Sequence, residues 1–173
     1  MSVLVRGEAA LTLGFLGGAF TPAFDAAATL RRGRWEGGLG ALWLSSRQAP
    51  FPAIRDTRVD LALTLGFAEG CLALVRSPRA LWDGWLCGRA AAGRLSGTGQ
   101  GFDHPRTSRT WWVGAGPGLA FRVRITSVLS LRASLSGLVT LGDHSFLVDG
   151  YGPAFDAPPF SAALAVGPEL SIL

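Results

Sequence analysis

Residues 160–173 alternate with period two. Phe160, Ala162, Leu164, Val166, Pro168, Leu170 and Ile172 share one parity, and Ser161, Ala163, Ala165, Gly167, Glu169 and Ser171 share the other. Successive side chains of a strand point to opposite faces, so this run has one greasy face and one small or polar face. The division recurs upstream. In 127–141, Leu129, Leu131, Leu135, Val139 and Leu141 oppose Ser130, Arg132, Ser134, Ser136 and Thr140. In 111–123, Trp111, Val113, Leu119, Phe121 and Val123 oppose Trp112, Gly114, Gly116, Gly118 and Arg122. In 58–67, Val59, Leu61, Leu63, Leu65 and Phe67 oppose Arg58, Asp60, Ala62, Thr64 and Gly66. Weaker versions occupy 5–15, 24–31 and 35–43. The stretch 85–97 is the least regular, because Arg89 and Arg94 differ in parity, and a bulge would reconcile them. Eight strands are predicted.

The content of the second face decides the environment. A soluble sheet turns large apolar residues inward and Lys, Glu, Thr or Arg outward. Here the second face is mainly Gly, Ala and Ser with isolated charges, which suits the narrow interior of an eight-stranded barrel. The large aliphatic face then meets lipid, and closure satisfies every backbone donor and acceptor in hydrocarbon. Composition agrees: 49% of the 173 residues are hydrophobic, 16% are charged and the net charge is +4, which excludes disorder. No run approaches the roughly 20 uninterrupted apolar residues of a spanning helix. The predicted fold is all-β, one domain over residues 1–173, an eight-stranded antiparallel up-and-down transmembrane β-barrel. Short joins are expected near 32–34 and 124–126, with a longer turn over about 72–83. Long joins are expected over 46–57, 98–108 and 142–159, the pattern of short periplasmic turns and longer extracellular loops. The first outer loop, 17–21, is the short exception.

In that orientation Phe15, Phe24, Trp43, Trp111 and Phe160 fall near outer strand ends, and Trp35, Phe67, Trp85 and Phe121 near inner ends. Two such belts are the aromatic girdles of a membrane barrel. Arg6, Glu8, Asp25, Arg31, Glu36, Arg58, Asp60, Arg122, Arg132 and Glu169 would point into the lumen. Buried charges must pair, so a plug of Arg–carboxylate pairs is expected instead of a pore. The basic side chains are sixteen arginines and no lysine, and the planar, permanently charged guanidinium suits dry bidentate pairing. Arg47, Arg55, Arg106 and Arg109 on the outer loops are candidate contacts to lipopolysaccharide phosphates, with solvated loop charge as the alternative. Arginines spread across strands form no stripe for nucleic acid.

Cys71 and Cys87 flank one predicted turn. In an oxidising periplasm they would bridge and close the 72–86 loop, the alternative being two buried thiols. Their spacing fits no zinc pattern, and no metal or cofactor is expected. The two histidines lie in outer loops, in Asp103-His104 and Asp143-His144-Ser145. Adjacent residues point apart and no Gly-x-Ser-x-Gly elbow is present, so these runs read as solvated loops. Gly114, Gly116 and Gly118 sit inside a strand, not between a strand and a helix, and read as space for Trp112 in the lumen.

The eight-strand layout resembles the small OmpA-type outer-membrane barrels of Gram-negative bacteria. The run Glu69-Gly70-Cys71, the Cys87-Gly88 segment, Gly93-Arg94-Leu95-Ser96-Gly97, and Trp111-Trp112 followed by alternate glycines are similar to outer-membrane barrels from GC-rich Gram-negative genomes. Barrels of that kind usually end in Phe or Trp, whereas this chain ends Ile172-Leu173. The resemblance implies an outer-membrane location, outer-membrane lipid and lipopolysaccharide as surroundings, and the barrel-assembly machinery as a partner. An export signal is expected upstream of Met1. The functional expectation is a non-enzymatic barrel serving envelope structure or surface interaction through its outer loops. The alternatives are a lipid A-modifying hydrolase and a soluble lipocalin-like binder of small ligands.

Overall fold

The computed structural model describes residues 1–50, 58–77, 81–100, 107–142, 145–148, 152–156 and 158–172. Its strands are β1 (Ser2–Gly14), β2 (Gly17–Arg32), β3 (Trp35–Leu44), β4 (Arg47–Pro50), β5 (Arg58–Arg76), β6 (Trp82–Gln100), β7 (Thr107–Arg124), β8 (Leu129–Thr140), β9 (Ser145–Val148), β10 (Gly152–Asp156) and β11 (Phe160–Ser171). Strand β4 continues the line of β3 along β5, so β3 and β4 form one wall of the sheet. Every neighbour is antiparallel, the terminal strands β1 and β11 pair, and β3 pairs β5, closing an eight-walled barrel. Closure gives every wall a hydrogen-bonded neighbour on both sides, the condition for strands to cross hydrocarbon. Strands β9 and β10 form a separate hairpin within the longest connection.

Connections of two to five residues join β2 to β3, β5 to β6 and β7 to β8 at one end; the long connections lie at the other. The β1–β2 connection at the long-loop end is only Phe15-Leu16, shorter than the loop expected there. Gly14 (φ 85°) and Gly17 (φ 95°) flank it in the left-handed region, where a side chain would be strained. The tight turn folds Phe15 and Leu16 into the barrel mouth, where both are buried.

The outer surface is predominantly apolar: Leu11, Leu30, Leu39, Leu119, Leu135, Val139, Leu164 and Leu170 are all exposed. Trp35 (66% exposed), Trp43 (44%), Trp111 (61%), Phe121 (47%) and Phe160 (58%) point outward near the strand ends, whereas Phe24 (50%) points outward from the middle of β2 and stacks on Trp43. Phe24 lies across Gly7 and Phe160 across Gly137, each ring covering the backbone of a neighbouring strand.

Three girdle assignments are corrected. Phe15 (1% exposed), Phe67 (5%) and Trp85 (1%) lie inside the barrel. For Phe67 and Trp85 the cause is the parity of β5 and β6, which is the reverse of that expected from bulk. Val59, Leu61, Leu63, Leu65 and Phe67 face the lumen, while Thr64, Gly66, Ala68 and Gly70 face outward. The opposing walls explain this. Strands β7, β8 and β11 turn small residues such as Gly114, Ser136, Ala163 and Ala165 inward, and the leucines of β5 occupy the space they leave, in one buried cluster with Trp112, Leu138, Ala163 and Ala165. The expected bulge in β6 is also absent: its register with β5 runs unbroken from Arg58↔Gln100 to Ala73↔Trp85. Arg89 therefore faces the lumen and Arg94 the exterior.

Candidate functional site

The lumen is built as two layers. The half nearer the long loops is apolar: Phe15, Leu16, Leu42, Leu44, Leu61, Leu63, Leu65, Leu95, Trp112 and Leu138 form one buried cluster. Trp112 is fully buried and packs against Phe15 with ring centroids 5.3 Å apart. Gly114, on the same face of β7, makes room for it: a Cβ there would lie 2.5 Å from Trp112 Cη2. We expect Gly114→Ala to cost about 1–3 kcal/mol by overpacking, read as a lower denaturant midpoint for the folded barrel; an unchanged midpoint would mean that the indole has slack.

Toward the short turns the lumen becomes ionic. Phe67 marks the boundary; it sits opposite Gly40 of β3, and the Arg89 guanidinium lies 4.0 Å from its ring centroid. Below it, Arg6, Arg89, Arg122 and Arg132 meet Glu8, Asp25, Glu36, Glu69 and Glu169, and all nine are buried. Glu69 is the hub. Its Oε1 accepts from Arg6 Nη2 (3.0 Å) and Arg132 Nη2 (3.0 Å), and its Oε2 from Arg89 Nη2 (2.8 Å) and Nε (3.1 Å). Arg132 also donates to Glu36 Oε1 at 2.8 Å, and Arg122 to Glu36 Oε2 at 2.7 Å and Glu169 Oε2 at 2.9 Å. Arg89 donates to Asp25 at 2.8 Å.

Most of these bonds cross the lumen instead of following the strand ladder. Directly opposed pairs include two acids, Glu8↔Asp25, and two bases, Arg122↔Arg132. Like charges in such positions repel. Here Arg6 lies 3.4 Å from Glu8 and 3.9 Å from Asp25, and the two arginines share Glu36 across the barrel and Glu169 on the neighbouring β11.

The layer ends on Trp85, whose ring is faced by Arg31 (4.8 Å), Arg122 (5.3 Å) and Arg76 (5.4 Å). Arg31 is half-buried at the mouth and bonds Asp83 at 3.1 Å. Cys71 and Cys87 are directly opposed on β5 and β6 and form a disulfide inside the lumen, beside Arg132. The strands extend past them to Arg76 and Trp82, so the bridge lies within the ladder and not at its turn. A loop of about 15 residues closed by such a bridge gains roughly 3 kcal/mol in the chain-entropy account. Reduction, or Cys71→Ala with Cys87→Ala, is expected to lower the unfolding free energy by about that amount, measured by urea titration with and without reductant. Glu69, Cys71 and Cys87 place ligand-type atoms within 4.8 Å of one another, yet both sulfurs are bonded together and the carboxylate is held by three arginines.

The remaining candidate residues separate from this layer. Asp60 is half-buried at the long-loop end of β5, on the opposite face from Leu61, and is corrected out of the lumen network. The Arg58 side chain, Arg55, Arg106, His104 and His144 lie outside the described residues. Arg47 is half-buried on β4, and Arg109 is exposed near the outer end of β7. Glu69 and Arg89 belong to the network but were not expected there. Their signal was the cysteine register: if Cys71 opposes Cys87, antiparallel counting sets Glu69 opposite Arg89.

No family model matches the chain, and no curated protein does. Solved structures do match. Neisserial surface protein A superposes with a TM-score of 0.66 at 16% identity, covering 98% of this chain and 95% of that one. The fold is that of the small outer-membrane barrels. A major outer membrane protein from Thermus thermophilus gives a TM-score of 0.66 at 13% identity, over 97% of this chain and 99% of that one. Ail, the attachment invasion locus protein of Yersinia pestis, gives 0.54 at 11% identity, over 99% and 97%. With this fold, an apolar exterior and outward aromatics near both strand ends, the chain has the surface of a bilayer-spanning barrel.

Proposed function

We propose that this protein is a non-enzymatic integral outer-membrane barrel with a side-chain-filled lumen, serving envelope structure or surface interaction through its long loops. The observation that carries this reading is the two-layer lumen: an apolar cluster around Trp112 above a buried ionic layer around Glu69. Such a filling supports a plug, and it leaves the loops as the surface through which the barrel meets its surroundings. The outer rim supports contact with lipopolysaccharide, since Arg94 lies 5.4 Å from the ring centroid of exposed Trp111 and Arg109 is exposed nearby. Guanidinium groups at that level match phosphate geometry. Membrane insertion would fall to the barrel-assembly machinery.

The non-enzymatic part is tested by lipid analysis. Lipid A from a strain overproducing the chain should have the same mass spectrum as lipid A from a strain producing His144→Ala. A deacylated species that appears with the unmodified chain and disappears with the variant would establish a hydrolase.

A further inference from the structure

The two ends of the barrel differ in charge. Segments 45–58, 99–109 and 142–159 at the long-loop end contain five arginines and five aspartates. The short-turn segments 32–34, 76–83 and 124–128 contain five arginines against the single acid Asp83. Asp83 is already engaged by Arg31 at 3.1 Å and lies 3.7 Å from Arg122. Around it Arg32, Arg34, Arg76 and Arg124 are exposed. Arg34 donates to the Ala73 carbonyl at 3.1 Å and Arg76 to the Gly33 carbonyl, so both heads are held at the rim by neutral acceptors that leave their charge uncompensated.

The same rim carries the aromatic markers of a membrane interface. Arg32 is directly opposite Trp35, so both side chains leave the same face of the sheet, and Trp35 is 66% exposed. Trp82, also exposed, packs against Phe121 at 5.8 Å. Indoles settle at headgroup level, which puts the neighbouring guanidiniums at the depth of lipid phosphates.

We propose that the short-turn rim is a binding surface for the phosphate groups of anionic glycerophospholipids in the leaflet beside it. Arg32, Arg34 and Arg124 supply the contacts, while Trp35 and Trp82 fix their depth. The proposal rests on the transmembrane reading and adds a lipid preference to it. Each basic residue close to an anionic surface attracts it measurably, and the attraction fades within a Debye length.

The test uses the full chain in vesicles mixing phosphatidylcholine with phosphatidylglycerol, one of the two carrying brominated acyl chains that quench lipid-facing tryptophans. The preference for phosphatidylglycerol should be at least about fivefold, roughly what one arginine at the surface supplies, and should fall to near unity in Arg32→Gln/Arg34→Gln/Arg124→Gln. It should also fall in the unmodified protein at about 0.5 M salt, where the Debye length shrinks to about 4 Å. Arg94→Gln/Arg109→Gln, at the other end, should keep most of it. No preference in the unmodified protein, or a preference that survives both the triple substitution and salt, overturns the proposal. Insertion is checked separately by urea extraction. A chain that washes off the vesicles defeats the transmembrane reading itself, whereas an inserted chain without preference defeats the rim assignment alone.

Discussion

Glu69→Gln is expected to destabilise the barrel by about 3–5 kcal/mol, the usual cost of removing one partner from a buried ion pair. The carboxylate accepts from Arg6, Arg89 and Arg132, and an amide removes the charge that balances them while keeping the shape. The loss arises from guanidiniums left buried without their counter-charge, which makes it context-dependent. Removing Arg89 as well should therefore return part of the stability, because Arg89 is the base most closely tied to Glu69. Unfolding in urea or guanidinium from lipid vesicles reads both variants. If Glu69→Gln unfolds like the unmodified protein, the network is wetter and weaker than its geometry states. If the double substitution is simply additive, Glu69 and Arg89 do not act as a pair.

Trp112→Ala should cost a similar amount, about 3–5 kcal/mol, by a different route. The indole is fully buried among the leucines of the outer layer and packs at a tilt against Phe15. Its removal opens a cavity facing Gly114, which has no side chain to collapse into it. Trp112→Phe should recover most of the stability, since a smaller ring still fills part of the space. An alanine variant within about 1 kcal/mol of the unmodified protein would mean that the outer layer is loosely packed.

The barrel was legible in the sequence because period two survives wherever a strand separates two environments. In β7, β8 and β11 the lumen face is mostly Gly, Ala and Ser with a few charges, Trp112 and Leu138, and the lipid face is mostly Leu, Val and Phe, so the balance of bulk assigns the sides. Strand β5 breaks that rule for a reason outside its own sequence: the small residues of the opposite walls vacate space, and Leu61, Leu63 and Leu65 fill it. A clue was present, since Glu69 and Cys71 share parity with those leucines, and a strand continued past Phe67 with leucines outward would put Glu69 into lipid. Phe15 was misread because Gly14 and Gly17 make a turn tight enough to tuck its neighbours inward. The partners of each charge could not be read in the same way. Arg132 on β8 reaches Glu36 on β3 and Glu69 on β5, and that proximity exists only once the sheet has closed.

The filled lumen is the central claim, and single-channel recording in a planar bilayer tests it most directly. The unmodified protein should insert and give no steady conductance, because the layer around Trp112 and the layer around Glu69 each block the bore. Sustained, uniform channel openings from the folded, disulfide-bonded protein would contradict it.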